Sequence, residues 1–126
     1  MNPEILIIED NEQNLYLMRF LLTKYGFTVA EATDGKTGLE MAKELNPQLI
    51  LLDIQLPEMD GYAVARELRK NNELAGTIIV AVTSYAMVGD RERVLEAGAD
   101  GYIEKPIDPE QFIDQIKKYL CDDSIV

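Results

Sequence analysis

Five polar side chains in this sequence follow short segments that are typical of β-strands. They are Glu9, Asp10, Asp53, Thr83 and Lys105. The clearest case is Asp53, which ends the apolar run Leu49–Leu52, a pattern expected of a strand buried on both faces. An ionised acid without a partner is costly in the interior. We therefore expect Asp53 at the carboxyl end of a central strand, where open α/β sheets place their ligand sites.

The three acids of this set predict a metal site built from oxygen ligands. Carboxylates that lie close together repel one another and favour a cation. Mg²⁺ commonly takes one or two carboxylates together with waters and a phosphate oxygen. Asp10 and Asp53 are the expected ligands, with Glu9 beside them or bound through a water. The backbone carbonyl of Gln55 is a further candidate ligand.

The same residues could support phosphoryl transfer. Asp53 is the candidate nucleophile, because aspartate can form an acyl phosphate. Lys105 would pair with a phosphoryl oxygen as a point charge, and the Thr83 hydroxyl would donate to another. Taken singly, each residue has a more ordinary interpretation: an acid pair at a helix start, a hydroxyl at a strand end and a loop lysine. Their occurrence together at four strand ends favours a site.

The elements that must position these side chains alternate along the chain. Predicted strands cover 4–8, 27–32, 48–53, 77–83 and 100–104. Helices are expected after Asp10 or Asn11, after Asp34, after the Asp60–Gly61 pair, over about 88–97 and from Asp108–Pro109. Strict alternation implies a parallel sheet with helices on both faces and right-handed connections. We expect one domain over 1–121 and a short loose tail at 122–126.

Composition excludes several functions. The 126 residues carry a net charge of −11, which disfavours direct binding to nucleic acid or to anionic membranes. No apolar run approaches the roughly 20 residues of a membrane span. The absence of histidine excludes histidine catalysis and histidine metal ligands. The single cysteine and the lack of a visible signal peptide are compatible with a cytoplasmic location.

Taken together, these motifs resemble the receiver domain of two-component response regulators. The matching segments are 7–11, 52–61, 82–84 and 98–106, which span most of the chain. The resemblance implies a flavodoxin-like (βα)5 fold, a doubly wound five-stranded parallel sheet in the order 2-1-3-4-5. Among subtypes, the chain is most similar to stand-alone, DivK-like receivers.

The resemblance also implies roles for the candidate residues. Asp53 would accept a phosphoryl group from a phosphohistidine on a sensor kinase or a histidine phosphotransfer protein. Asp10, Asp53 and the Gln55 carbonyl would hold Mg²⁺, with Glu9 behind them. Thr83 and Lys105 would contact the phosphoryl group. The lack of histidine fits, because the donor histidine would lie on another protein.

Further positions carry expectations about switching and lifetime. Tyr102 matches the aromatic switch position, which would move together with Thr83 and change the surface formed by helix 4, strand 5 and helix 5. With no effector domain expected, output would pass through that face to a separate target protein. Gln55 and Tyr85 match positions at which the family tunes dephosphorylation; Tyr85 either shields the acyl phosphate or only covers helix 4. The Lys105–Pro106 bond is expected to be cis.

Three rival functions remain open at this point. A flavodoxin-like electron carrier would need a phosphate-binding loop after strand 1, where this chain has Glu9 to Glu12. A metal-dependent phosphatase of the aspartyl-phosphate type usually needs a second Asp at the position of Gln55. A scaffold that works without phosphorylation would not require the intact set of Asp53, Thr83 and Lys105. These residues favour the phosphoacceptor, a signalling switch with self-phosphorylation and self-dephosphorylation chemistry rather than an enzyme.

Overall fold

The computed structural model describes residues 4–56, 60–84 and 88–125, and the side chains of 88–90 and 121–125 are left out of the description. The strands are β1 (Ile5–Ile8), β2 (Val29–Ala32), β3 (Leu49–Asp53), β4 (Ile78–Thr83) and β5 (Gly101–Glu104). The helices are α1 (Glu12–Lys24), α2 (Gly35–Leu45), α3 (Gly61–Lys70), α4 (Val88–Glu96) and α5 (Pro109–Ile125), with a 3₁₀ turn at Asn72–Leu74.

The five strands form one parallel sheet in the order β2-β1-β3-β4-β5. This order confirms the predicted doubly wound fold. Alternate residues of β1 and β3 point to opposite faces, so the apolar runs supply two cores. Leu6 and Ile8 pack in the core beneath α2, α3 and α4, while Ile5 and Ile7 pack in the core beneath α1 and α5.

Local hydrogen bonds set the helix starts where the sequence predicted them. The N-cap side chains accept bonds from the backbone N–H three residues later: Asn11 from Asn14 at 3.0 Å, Asp34 from Thr37 at 2.7 Å and Asp60 from Ala63 at 2.8 Å. Such caps satisfy N–H groups that a helix leaves without a partner. The caps at Asn11 and Asp60 begin the two helices that follow β1 and β3, the strands that carry the acids.

Two predicted boundaries differ from the structure by more than one residue, and β1, β3, β4 and β5 each begin one residue later than predicted. β2 begins at Val29 rather than at Phe27. We expected a loose tail at 122–126, whereas α5 continues to Ile125. No proline or glycine occurs after Pro109, so nothing in the local sequence interrupts the helical hydrogen bonds. Within the described residues, no helix is long and apolar enough to cross a membrane.

Candidate functional site

The parallel register brings the polar strand ends together at one edge of the sheet. Ile8 of β1 lies beside Leu52 of β3, so the next residues along the two strands, Glu9 and Asp53, become neighbours. Asp53 in turn lies beside Val82 of β4, one residue before Thr83. The close approach of Glu9, Asp53 and Thr83 therefore follows from strand register.

The three predicted acids form one cluster. Glu9, Asp10 and Asp53 each offer a carboxylate oxygen within 4.8 Å of the others, with Glu9 and Asp53 buried and Asp10 exposed. Glu9 Oε1 is buried and accepts no hydrogen bond within the described part of the chain, although Lys105 Nζ lies 3.4 Å from it. A buried acceptor of this kind, in a set made only of oxygens, fits a hard divalent cation such as Mg²⁺.

Lys105 brings a positive charge to this cluster. Its Nζ donates to Asp53 Oδ1 at 3.1 Å and lies 3.4 Å from Glu9 Oε1. Its backbone N–H donates to the carbonyl of Thr83 at 2.9 Å, which ties the end of β5 to the end of β4. The Lys105–Pro106 peptide bond is cis, as the family resemblance implied. The predicted lysine thus reaches the acids from the end of the edge strand β5.

Burial and hydrogen bonding shift the pKa values of the two buried acids in opposite directions. Burial, strengthened by the neighbouring Asp53, raises the pKa of Glu9 to about 8, although Lys105 acts in the opposite direction. Burial alone would raise the pKa of Asp53 as well, but hydrogen bonds from Glu9, the backbone N–H of Gln55 and Lys105 outweigh it and lower that pKa. The surroundings therefore shift the pKa values of the two acids in opposite directions, and the ionised form is favoured at Asp53.

Asp53 is held in a fixed orientation. It is 2% exposed, and its Oδ1 accepts from the Gln55 backbone N–H at 3.0 Å and from Lys105. The Gln55 side chain is exposed, and its Oε1 accepts from Ser84 Oγ at 2.8 Å. Ser84 was not among the predicted site residues. Ser84 belongs to the matching segment 82–84, but its contact with Gln55 depends on the tertiary structure.

Thr83 and Tyr102, the two predicted switch residues, lie on neighbouring strands. Thr83 is buried at the end of β4, in register with Glu104 of β5. Tyr102 is half-buried on β5, and the guanidinium carbon of Arg91 lies 5.1 Å from the centre of its ring. Tyr102 is thus on the neighbouring strand rather than in the acid cluster. Tyr85, the other predicted modulator, lies outside the described residues.

The family of the chain is now identifiable. Residues 5–117 match the family model of the response regulator receiver domain. The chain belongs to this family. The resemblance seen in the motifs is therefore confirmed, and the matched region contains Glu9, Asp10, Asp53, Thr83 and Lys105.

Similarity to individual response regulators and receiver domains supports this membership. The receiver is 43% identical over 122 residues to the polar-differentiation response regulator DivK of Brucella ovis, covering 97% of this chain and 99% of DivK. The receiver domain of the sensor histidine kinase PA1611 from Pseudomonas aeruginosa, solved with a magnesium ion in its active-site cleft, matches with a TM-score of 0.86 and 32% identity over 95% of this chain and 98% of that one. Vibrio cholerae CheY4 shares the fold at a TM-score of 0.89 with 22% identity, over 94% of this chain and 99% of that one.

Proposed function

We propose that this receiver is a phosphorelay switch that accepts a phosphoryl group onto Asp53. The observation that carries the proposal is the geometry around Asp53: its buried carboxylate accepts from the Gln55 backbone N–H and from Lys105, and it lies in one cluster with Glu9 and Asp10. An ionised, oriented carboxylate is the form that can attack phosphorus. The high identity to DivK, named a response regulator, supports the same function.

In the proposed transfer, a carboxylate oxygen of Asp53 forms the new P–O bond. The P–N bond to the donor histidine breaks, and its electron pair returns to the ring nitrogen. Lys105, already 3.1 Å from Asp53 Oδ1, would pair with an oxygen of the arriving group. The Thr83 hydroxyl would donate to a second oxygen. Since the described donors and acids come from β1, β3, β4 and the end of β5, the sheet itself would hold the geometry.

Mg²⁺ is the proposed cofactor. Asp10, Asp53 and the Gln55 carbonyl would hold it, with Glu9 behind them. When bound, the ion would neutralise charge on the transferring group. The magnesium ion in the PA1611 receiver supports this choice, as do the all-oxygen cluster and the buried Glu9 Oε1.

The proposed switch and its partners complete this function. Phosphorylation would draw Thr83 towards the site, and Tyr102 would follow and alter the α4–β5–α5 face. The phosphoryl donor would be a sensor histidine kinase or a histidine phosphotransfer protein. A separate target protein would bind the α4–β5–α5 face and take up the signal. We propose a cytoplasmic location, with no direct contact with nucleic acid or membrane. Self-phosphorylation and self-dephosphorylation would be its only chemistry.

Gln55 and Tyr85 are proposed to tune the lifetime of the phosphoryl group. The Ser84 hydroxyl donates to the oxygen of the Gln55 side-chain amide. This hydrogen bond places the amide between the ends of β3 and β4. There it would limit the approach of water to Asp53. Tyr85 would add cover, and an unchanged lifetime in Tyr85→Ala would refute its part of this proposal.

The decisive experiment is intact mass spectrometry after incubation with acetyl phosphate, with and without Mg²⁺. We expect the wild type to gain one phosphoryl group only when Mg²⁺ is present, and Asp53→Asn to gain none. Asp60→Asn is a matched control, because it makes the same change at an exposed acid that caps α3 and lies outside the cluster. A wild type that stays unmodified with both acetyl phosphate and a phosphohistidine donor would favour the alternative, a scaffold that works without phosphorylation.

Mg²⁺ should also stabilise the folded protein. A ligand that binds only the native state at about 100 times its Kd adds about 2.7 kcal/mol. We expect a clear rise in Tm with Mg²⁺ for the wild type and for Glu12→Gln, an exposed acid outside the cluster. Asp10→Asn should lose most of the rise, whatever its Tm without the ion. An equal rise in Asp10→Asn would contradict the assignment of Asp10 as a ligand.

A further inference from the structure

A groove of about 490 Å³ lies between the edge strand β5 and helix α5. Two tyrosines, two acids, two amides and a proline line it: Tyr102, Tyr119, Glu104, Asp108, Gln111, Gln115 and Pro106. Aromatic rings combined with polar side chains are common in peptide-binding surfaces. The groove is separate from the acid cluster around Asp53, although both lie near the carboxyl end of β5.

The charge of the groove is negative. Glu104 and Asp108 supply carboxylates, none of the described residues that line the groove is basic, and the Arg91 side chain reaches Glu104 from α4. Lys105, which lies between them in sequence, directs its amino group to Asp53 instead. The chain as a whole has a net charge of −11. The groove therefore complements a cationic segment and repels a second acidic copy of this chain.

Arg91 of α4 shows what one wall of the groove accepts. Its guanidinium carbon lies 5.1 Å from the centre of the Tyr102 ring, and its Nη2 lies 3.7 Å from Glu104 Oε1. Together, the ring face and the carboxylate form a site for a guanidinium. Both charged side chains are about half exposed, so the ion pair is screened and contributes little. An incoming cation can therefore take the place of Arg91 at small cost.

The backbone of the edge strand β5 is less accessible to a binding partner than the side chains of this strand. The Tyr119 hydroxyl donates to the Tyr102 carbonyl at 3.4 Å. The Tyr119 ring also lies so close to Gly101 that a Cβ there would collide with it. α5 therefore covers part of the strand edge, which disfavours addition of an extended peptide strand. Recognition would rest on side chains in the groove.

We propose that this groove docks a cationic segment of a partner protein, with an arginine of that segment replacing Arg91 on Tyr102 and Glu104. The inference rests on the proposed function in one respect, that a target protein binds the α4–β5–α5 face. It adds that the bound segment of the target protein is cationic. Because the groove already exists in the unphosphorylated protein, docking can be measured without any transfer to Asp53.

The test is an NMR titration of the unphosphorylated protein with a short acetylated and amidated peptide that carries arginines one helical turn apart. A second peptide carries citrulline, the neutral isostere, in their place. We expect backbone shifts that concentrate at Tyr102, Glu104, Gln111 and Gln115, and we expect them to disappear with citrulline. Glu104→Gln should weaken binding by roughly threefold. Glu44→Gln, the same change at an exposed acid of α2, should leave the affinity unchanged.

A second pair of variants tests the displacement of Arg91. Arg91→Gln should strengthen binding by roughly twofold, because the peptide no longer competes with it. Arg66→Gln makes the same charge change on α3 and should have no effect on the affinity. Equal effects of Glu104→Gln and Glu44→Gln, or equal binding of the citrulline peptide, would overturn the proposal. Failure of Asp53 to take up a phosphoryl group would leave these binding results standing.

Discussion

Arg69→Met is expected to lower the free energy of unfolding by about 3 kcal/mol, a large part of the stability of a domain of this size. The Arg69 guanidinium donates to three backbone carbonyls: Gly98 at 2.8 Å, Leu74 at 3.1 Å and Thr77 at 2.9 Å. Its Nη2 also donates to Asp100 at 2.6 Å. Hydrogen bonds to a charged group are each worth about 1.5–3 kcal/mol, and the sum is reduced because the side chain remains partly exposed.

This network ties four segments together at the end of the sheet opposite to the acid cluster. Asp100 Oδ2, which accepts from Arg69, also accepts from the backbone N–H of Ile79 at 2.8 Å. Loss of the guanidinium would leave the Gly98, Leu74 and Thr77 carbonyls short of a donor. The effect should therefore exceed that of an ordinary surface arginine.

Urea unfolding followed by circular dichroism measures this effect. Arg69→Lys should recover only part of the loss, since a lysine cannot present the planar fork that reaches several acceptors. Arg66→Met, at an exposed arginine of the same helix, should change the free energy of unfolding by less than about 0.5 kcal/mol. Equal midpoints for Arg69→Met and Arg66→Met would contradict the role given to the network.

Gly61→Ala is expected to destabilise the fold by about 1–3 kcal/mol and to impair the site as well. Gly61 begins α3, and its N–H donates to the Ile54 carbonyl at 2.9 Å. A Cβ at this position would collide with Ile54 Cα and lie 2.7 Å from the Asp53 carbonyl oxygen. Because those atoms belong to the backbone, they cannot rotate away. Either α3 or the end of β3 must move.

The displacement would reach the carboxylate that is proposed to accept the phosphoryl group. A shift of about 1 Å in a reacting group can cost on the order of a hundredfold in rate. We therefore expect the initial rate of phosphoryl uptake from acetyl phosphate to fall in Gly61→Ala at temperatures where the variant is still folded. Gly76→Ala is the matched control, because a Cβ there has open space within 4 Å. Equal stability and uptake in the two variants would refute the steric argument.

Signals that act over a few residues were readable in the sequence. The apolar runs predicted the strands, and the polar residues before α1 and α2 predicted the helix starts, since each cap acts on a backbone N–H three residues away. The acids, the threonine and the lysine were predicted as one site because parallel strands end at a common edge. Only the boundaries of β2 and α5 differed by more than one residue, and both lie where no strong stop or start residue occurs.

Contacts between distant segments were decided by the tertiary structure alone. The raised pKa of Glu9 depends on its burial next to Asp53, which no local pattern encodes. The bond from Ser84 to Gln55 joins residues 29 apart, and the bond from Arg69 to Asp100 joins residues 31 apart. The placement of Arg91 on Tyr102 likewise requires α4 to lie beside β5. Residue types and spacing determined the fold and the chemistry available. Packing decided how the pKa values of the buried acids shift and which surface is open, because desolvation and long-range hydrogen bonds exist only in the folded chain.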